Sequence, residues 1–184
     1  MNILVACEKS GVVKSAFLKK GHRVVSCDLR PGAGTRTHYT GDVKDLLQMP
    51  FDMVIAFPPC TFLCNSGVRW LFTEPGRWEK LAAARDFFML FYDLDCPKVC
   101  IENPVPHHYA GLPPYTQIIQ PFEHGHGETK KTCLWLKGLP PLVPRRVMKG
   151  RENRIHKMSP SPSRSDDRAR TFYGVARSMA EQWG

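Results

Sequence analysis

The chain has 184 residues, 42% apolar and 23% charged, ordinary values for a soluble globular protein of one domain. No apolar run approaches the ~20 residues that span a bilayer. The apolar run in "MNILVACEKSG" is too short for a secretory leader, so membrane insertion and export are not expected, and a cytoplasmic protein is.

The formal net charge of +9 points to a polyanionic partner, nucleic acid or phosphate. The seven cysteines are scattered, and in a cytoplasmic chain they are expected to be reduced thiols. The spacings Cys60/Cys64 and Cys96/Cys100 are wider than those of common zinc knuckles, and no metal site is expected.

In chain order, "NILVA" reads as a strand and "SGVVKSAFLKKG" as a helix stopped by Gly21. "HRVVSCDL" is a second strand, and "GDVKDLL" a loop with one helical turn. "FDMVIAF" is nearly all apolar, as buried parallel strands are. "RWEKLAAARDFFMLFYDL" is the clearest helix, with Leu81, Ala84, Phe88 and Phe91 along one face. "KVCIENP" is a fourth strand. Strands alternating with helices predict an α/β fold with a doubly wound, mostly parallel sheet in a single domain, 1–184. From 104 to 144 prolines and glycines are frequent, with one strand-like stretch, "KTCLWL". Residues 145–170 are basic, polar and expected to be partly mobile, and "RTFYGVARSMAEQW" closes the chain as an amphipathic helix.

In an open α/β sheet, ligands bind outside the carboxyl ends of the strands. The residues there are Cys7, Glu8 and Gly11 after the first strand and Asp28 after the second. Asp42 follows in the next loop, then Pro58, Pro59 and Cys60 after the third strand, and Glu102, Asn103 and Pro104 at the fourth. Any one of these acids suits a solvated turn, and a lone cysteine is more often inert. Their shared position after successive strands is what folding alone does not require. Asp28 suits the hydroxyls of a ribose, and Asp42 an adenine amino group. Cys60 suits a nucleophile if a cation or helix N-terminus stabilises its thiolate. Glu102 suits a general acid if burial raises its pKa.

This order of motifs resembles the cytosine-5 DNA methyltransferase family, especially its short phage members. "PPCT" resembles the family's proline-cysteine nucleophile motif, "IENP" its glutamate-asparagine motif, and "GDVKDL" the loop before the nucleophile strand. "GHGETKKTCLWL" resembles the basic stretch beside the target base, and "RTFYGVARSMAEQW" the terminal helix that returns beside strand one. The first motif departs: where the family has an aromatic followed by paired glycines, "ACEKSG" offers Gly11 alone.

The resemblance implies a Rossmann-like domain with a reduced recognition region at about 104–144. It implies S-adenosylmethionine against Ala6, Cys7, Glu8, Gly11 and Pro58, with Asp28 and Asp42 on its ribose and adenine. Cys60 would add to carbon 6 of cytosine and Glu102 would hold the ring. Pro59, Asn103 and Pro104 would shape the pocket, and Arg69, Lys130, Lys131, Arg145 and Arg146 would meet phosphate or the base. Arg151 and Arg154 extend the expected phosphate-binding set. DNA is the implied partner. A free pyrimidine nucleotide, transfer of another one-carbon group, and an inactive nucleic-acid-binding scaffold are the alternatives.

Of the remaining residues, His124, His126 and Glu128 read as a polar loop near the substrate rather than a metal site. His107 and His108 are expected at the surface. Trp70, Trp78 and Trp135 default to the core, with Trp135 also placed to stack on a base.

Overall fold

The computed structural model describes residues 1–32 and 37–184. In chain order the elements are β1 (Asn2–Ala6), α1 (Val12–Leu18), β2 (Arg23–Asp28), β3 (His38–Thr40), β4 (Met53–Ala56), α2 (Arg77–Tyr92), β5 (Lys98–Pro104), β6 (Gln117–Ile119), β7 (Thr132–Lys137), α3 (Arg154–Lys157), α4 (Arg164–Ala169) and α5 (Tyr173–Trp183). Short 3-10 turns lie between them, at Val43–Asp45 and Asn65–Phe72 among others.

Ile3 to Ala6 and Met53 to Ala56 are apolar on both faces, so β1 and β4 take the middle of the sheet. The described strands form one sheet in the order β3-β2-β1-β4-β5-β7-β6. All neighbours are parallel except at β7, which runs antiparallel to β5 and β6. Alternation along the strands builds two cores. Ile3, Val5, Ile55 and Cys100 pack under α1 and α5, while Leu4, Val54, Val99 and Ile101 pack under α2. Helices on both faces make the sheet doubly wound, as the sequence predicts. Among the described residues no helix is long and apolar enough to cross a membrane.

Two strands were not anticipated. β3 and β6 have three residues each, too short to show an alternation. The region 104–144 therefore holds two strands rather than one. Leu81, Phe88 and Phe91 of α2 are buried as expected, with Ala84 half-buried beside them. The basic stretch is partly structured: α3 and α4 lie within it.

Candidate active site

The loop after β1 turns through two left-handed residues, Cys7 (φ 58°) and Gly11 (φ 68°). Cys7 thus adopts a backbone conformation that costs a side-chain-bearing residue energy and glycine little. Glu8 accepts from the main-chain N–H groups of Val13 (2.6 Å) and Lys14 (3.2 Å) and from the Ser10 hydroxyl (3.3 Å). It supplies the acceptors that a helix start lacks. Burial pushes the Glu8 carboxyl up, and those hydrogen bonds and Lys14 oppose the shift. Glu8 was expected on the cofactor; its carboxylate instead turns inward onto α1. Ala6 is likewise buried in the sheet.

Asp28 and Asp42 converge on Cys7. The Cys7 thiol is pushed up to about 12, first by burial and then by the charges of Asp28, Cys27 and Asp42. Asp28 accepts from the Arg30 amide at 2.9 Å, and the Arg30 guanidinium lies 3.6 Å away. Asp42 is exposed and caps its 3-10 turn through Lys44 N–H at 3.0 Å. Only one oxygen of each acid is used in these contacts. Above them sits α4, whose Asp166 bridges Lys9 (2.7 Å) and Arg30 (2.6 Å).

Cys60 follows β4 by four residues and heads a helical turn: its carbonyl accepts from Leu63 N–H (3.0 Å) and Cys64 N–H (3.1 Å). Pro58 is buried, Pro59 exposed and Cys60 half-buried. The buried Asn103 donates to the Pro58 carbonyl at 3.2 Å. The segment after β5 clamps the same turn, through His107 N–H to Leu63 carbonyl (3.0 Å) and the His107 ring to Phe62 carbonyl (2.9 Å). His107 was expected at the surface; this bond to a main-chain carbonyl buries it.

The thiols of Cys60 and Cys64 share a hydrogen bond, which pushes Cys60 up and pulls Cys64 down. Burial and Glu102 add to the push on Cys60, and Lys130 opposes it. The Ser66 hydroxyl, 3.0 Å from the Cys64 sulfur, helps hold charge there.

Along β5, Ile101 lies in the core under α2, and Glu102 lines a cleft on the opposite side, toward α5. Burial pushes its carboxyl up, against the Lys130 charge and a hydrogen bond from Thr132. The cleft is also lined by Lys130, Thr132, Thr171, Phe172 and Met179. Lys130 donates to the Arg168 carbonyl at 3.0 Å. Thr132, Thr171 and Phe172 were not singled out from the sequence. They belong to "KTCLWL" and "RTFYG", whose register against β5 and α5 the sequence does not reveal.

Several expected site residues lie elsewhere or are engaged internally. Trp135 is core, packed on Phe88 with ring centroids 4.9 Å apart and donating to the Pro113 carbonyl at 2.8 Å, so it stacks on no base. Trp78 is exposed, contrary to expectation. Arg69 lies over Trp70, 4.2 Å from the ring centroid. Lys131 is exposed and Pro104 half-buried. Arg145 reaches Glu181 only at 3.9 Å, and Arg146 is exposed without an ion pair among the described residues. Arg151 covers Phe122, 4.2 Å from the ring centroid, and Arg154 is held by Glu128 (2.5 Å) and Glu152 (3.1 Å). His124 bonds to Ser178 (2.9 Å), and His126 accepts from Gly174 N–H (2.8 Å). Among the described residues no group of three side chains could hold a metal ion.

No family model and no curated protein matches the chain. Solved structures do. A protein described as a DNA modification methyltransferase encoded within an E. coli prophage superposes with TM-score 0.51 at 15% identity, over 80% of this chain and 52% of its own. The fold is that of the Rossmann-like methyltransferases. The Dnmt2 methyltransferase of S. pombe (TM-score 0.47, 11% identity, 87% of this chain and 54% of its own) is more distant. So is a methyltransferase of Entamoeba histolytica (0.47, 12%, 80% and 57%). The chain spans about half the length of these methyltransferases.

Proposed function

We propose that this chain transfers a methyl group from S-adenosylmethionine to carbon 5 of cytosine in DNA. One observation carries the reading: Cys60 follows β4 and Glu102 lies near the carboxyl end of the adjacent parallel strand β5, with Lys130 acting electrostatically on both. The Asn103–Pro58 bond fixes the loop that bears Cys60.

The donor set suits the cofactor. Asp28 and Asp42 each keep a carboxylate oxygen for a hydroxyl or amino group, and their charges favour a cationic sulfonium. S-adenosylmethionine supplies an electrophilic methyl group. The α1 N-terminus is already taken by Glu8, so the cofactor's own carboxylate binds elsewhere.

The chain's residues then act on the base. Cys60 passes its proton to the Cys64–Ser66 side as its sulfur adds to carbon 6. The carboxyl of Glu102, whose proton affinity burial raises, takes up a proton, donates it in a hydrogen bond to ring nitrogen 3 and accepts from the exocyclic amine. The electron pair displaced from the 5,6 double bond makes carbon 5 nucleophilic, and carbon 5 takes the methyl group. Loss of the carbon 5 proton to a base and of the Cys60 sulfur restores the ring. In a duplex the base must first leave the stack, at a cost of a few kcal/mol.

A cytosine with fluorine at carbon 5 cannot lose a proton there. An oligonucleotide carrying it should therefore trap a covalent adduct on Cys60, identified by mass spectrometry of a digest. An adduct on Cys64, or unchanged methylation by Cys60→Ser, would overturn the assignment.

A second reading, methyl or other one-carbon transfer to a free pyrimidine nucleotide, is favoured by how residues 104–144 are used. They are spent on β6, β7 and the turns that fasten them to β5. Adduct formation with the free 5-fluoro nucleotide but not with DNA would select it. Binding of DNA without any adduct would select the scaffold without catalysis.

A further inference from the structure

Phe72, Trp78 and Tyr109 come from three segments: the end of the 3-10 turn Asn65–Phe72, the first turn of α2, and the turn after β5. They meet edge to face, with centroids 5.8 Å (Phe72–Trp78), 5.5 Å (Phe72–Tyr109) and 5.7 Å (Trp78–Tyr109) apart. Nothing described in the chain covers them: their exposures are 64%, 45% and 39%. Three rings that assemble closely enough to touch pairwise, yet stay wet, form an apolar patch of the kind that marks a binding surface.

Guanidinium groups lie on rings beside it. That of Arg69 lies over Trp70 (4.2 Å) and that of Arg77, paired with Glu74 at 3.0 Å, over Phe62 (4.5 Å), while the His108 ring packs on Tyr109 (3.7 Å). Arg69 makes no ion pair among the described residues. Phe62, Arg69, Trp70 and Phe72 lie in the segment after Cys60, and Tyr109 in the segment after Glu102. The patch therefore grows from the two loops that carry the candidate nucleophile and acid.

We propose that Phe72, Trp78 and Tyr109 form a stacking platform for unpaired nucleotides of a single-stranded nucleic acid that flank the target base. Ring faces accept any base by stacking, and the neighbouring Arg69 guanidinium suits a phosphate between bases. An apolar protein partner would find the rings but leave Arg69, which lacks an acidic partner among the described residues, without counter-charge. The platform rests on the reading that this sheet edge takes nucleic acid, and it gives the chain a grip on a strand without a large recognition domain.

The test is the affinity of the full chain for a fluorescently labelled mixed-sequence oligodeoxynucleotide, measured by anisotropy at raised salt so that phosphate contacts are suppressed. The triple variant Phe72→Ser/Trp78→Ser/Tyr109→Ser should bind at least about ten-fold more weakly, since each lost stacking contact costs roughly five-fold or more. Its urea midpoint reports folding. Should the triple variant fail to fold, Trp78→Ser alone should still weaken binding by roughly five-fold. Unchanged affinity in the folded variants overturns the platform. So does a fall in self-association on sedimentation with unchanged oligonucleotide affinity, which would make the patch an interface between copies. Stacking that persists while no adduct forms on Cys60 removes the cytosine reading and keeps the platform; the adduct with no loss of affinity in the variants does the reverse.

Discussion

The side-chain amide of Asn103 donates to the main-chain carbonyl of Pro58 across 3.2 Å, tying the strand that bears Glu102 to the loop that bears Cys60. Asn103 is fully buried, so its loss leaves the Pro58 carbonyl without this partner. Asn103→Ala should cost about 1–3 kcal/mol, read from urea unfolding. It should also slow adduct formation at Cys60 more than it slows alkylation of Cys7, which the bond does not position.

Cys64 is not a bystander to Cys60. The hydrogen bond between them and the charge on Cys64 both push Cys60 up. Removing Cys64 removes both, so in Cys64→Ala the Cys60 thiol should ionise at lower pH. Conversely, Cys60→Ala should raise the pH at which Cys64 ionises, because its donor is gone. Residue-resolved alkylation with iodoacetamide across a pH series measures both shifts. Two unmoved profiles would show that the thiols titrate independently.

Burial holds the Glu102 carboxyl above its ordinary value of 4.5 in the folded chain. The sign follows from proton uptake: between the unfolded and folded pKa values the native state binds more protons, so stability falls as pH rises through that window. Glu102→Gln removes the charge that must otherwise be buried. Its melting temperature should exceed that of the parent at neutral pH, and the gap should narrow toward acid. Activity should fall, because the amide cannot give up a proton to the ring. A variant less stable than the parent at neutral pH would contradict an upward shift of the Glu102 carboxyl.

Gly174 opens α5 where it meets the turn bearing His124. A Cβ there would collide with the His124 carbonyl oxygen, which is main chain and cannot swing away. Gly174→Ala should therefore destabilise by about 3 kcal/mol or more and loosen α5, visible in near-ultraviolet circular dichroism. A stable Gly174→Ala chain would mean that α5 docks differently.

Asp166 joins Lys9 and Arg30, and through Arg30 reaches Asp28, so α4 is fastened across the loops after β1 and β2 by charge. The pairs are partly exposed and screened by salt. Trypsin should cut after Arg164, Arg168 and Arg170 faster at high salt than at low salt, and faster in Asp166→Asn at low salt. Equal cleavage under all conditions would show that packing, not charge, holds α4.

The sequence alone determined the order of the long elements and the edge of the sheet where chemistry gathers. The apolar run "MVIA" suits a buried strand, and Leu81, Ala84, Phe88 and Phe91 recur at helical spacing, so β4 and α2 were legible from local pattern. Cys60, Glu102 and Asp28 stood out because each lies at the end of an apolar strand, and Asp42 because it is an acid in the next loop. What the sequence could not reveal depends on contacts between residues far apart in the chain. β3 and β6 exist because a neighbouring strand satisfies three residues' main-chain groups, which no local pattern records. Glu8 looks like a cofactor ligand until α1 folds back and offers it two N–H groups. Trp135 and Trp78 are the same residue type, and only the packing of α2 against β7 decides that one is core and the other a wet ring. The opposite shifts of Cys60 and Cys64 likewise wait on a helical turn that brings two thiols together, with Cys60 in the field of Glu102 and Lys130. Local propensity is written along the chain, whereas desolvation and long-range hydrogen bonding belong to the folded surroundings, and those set what each side chain can do.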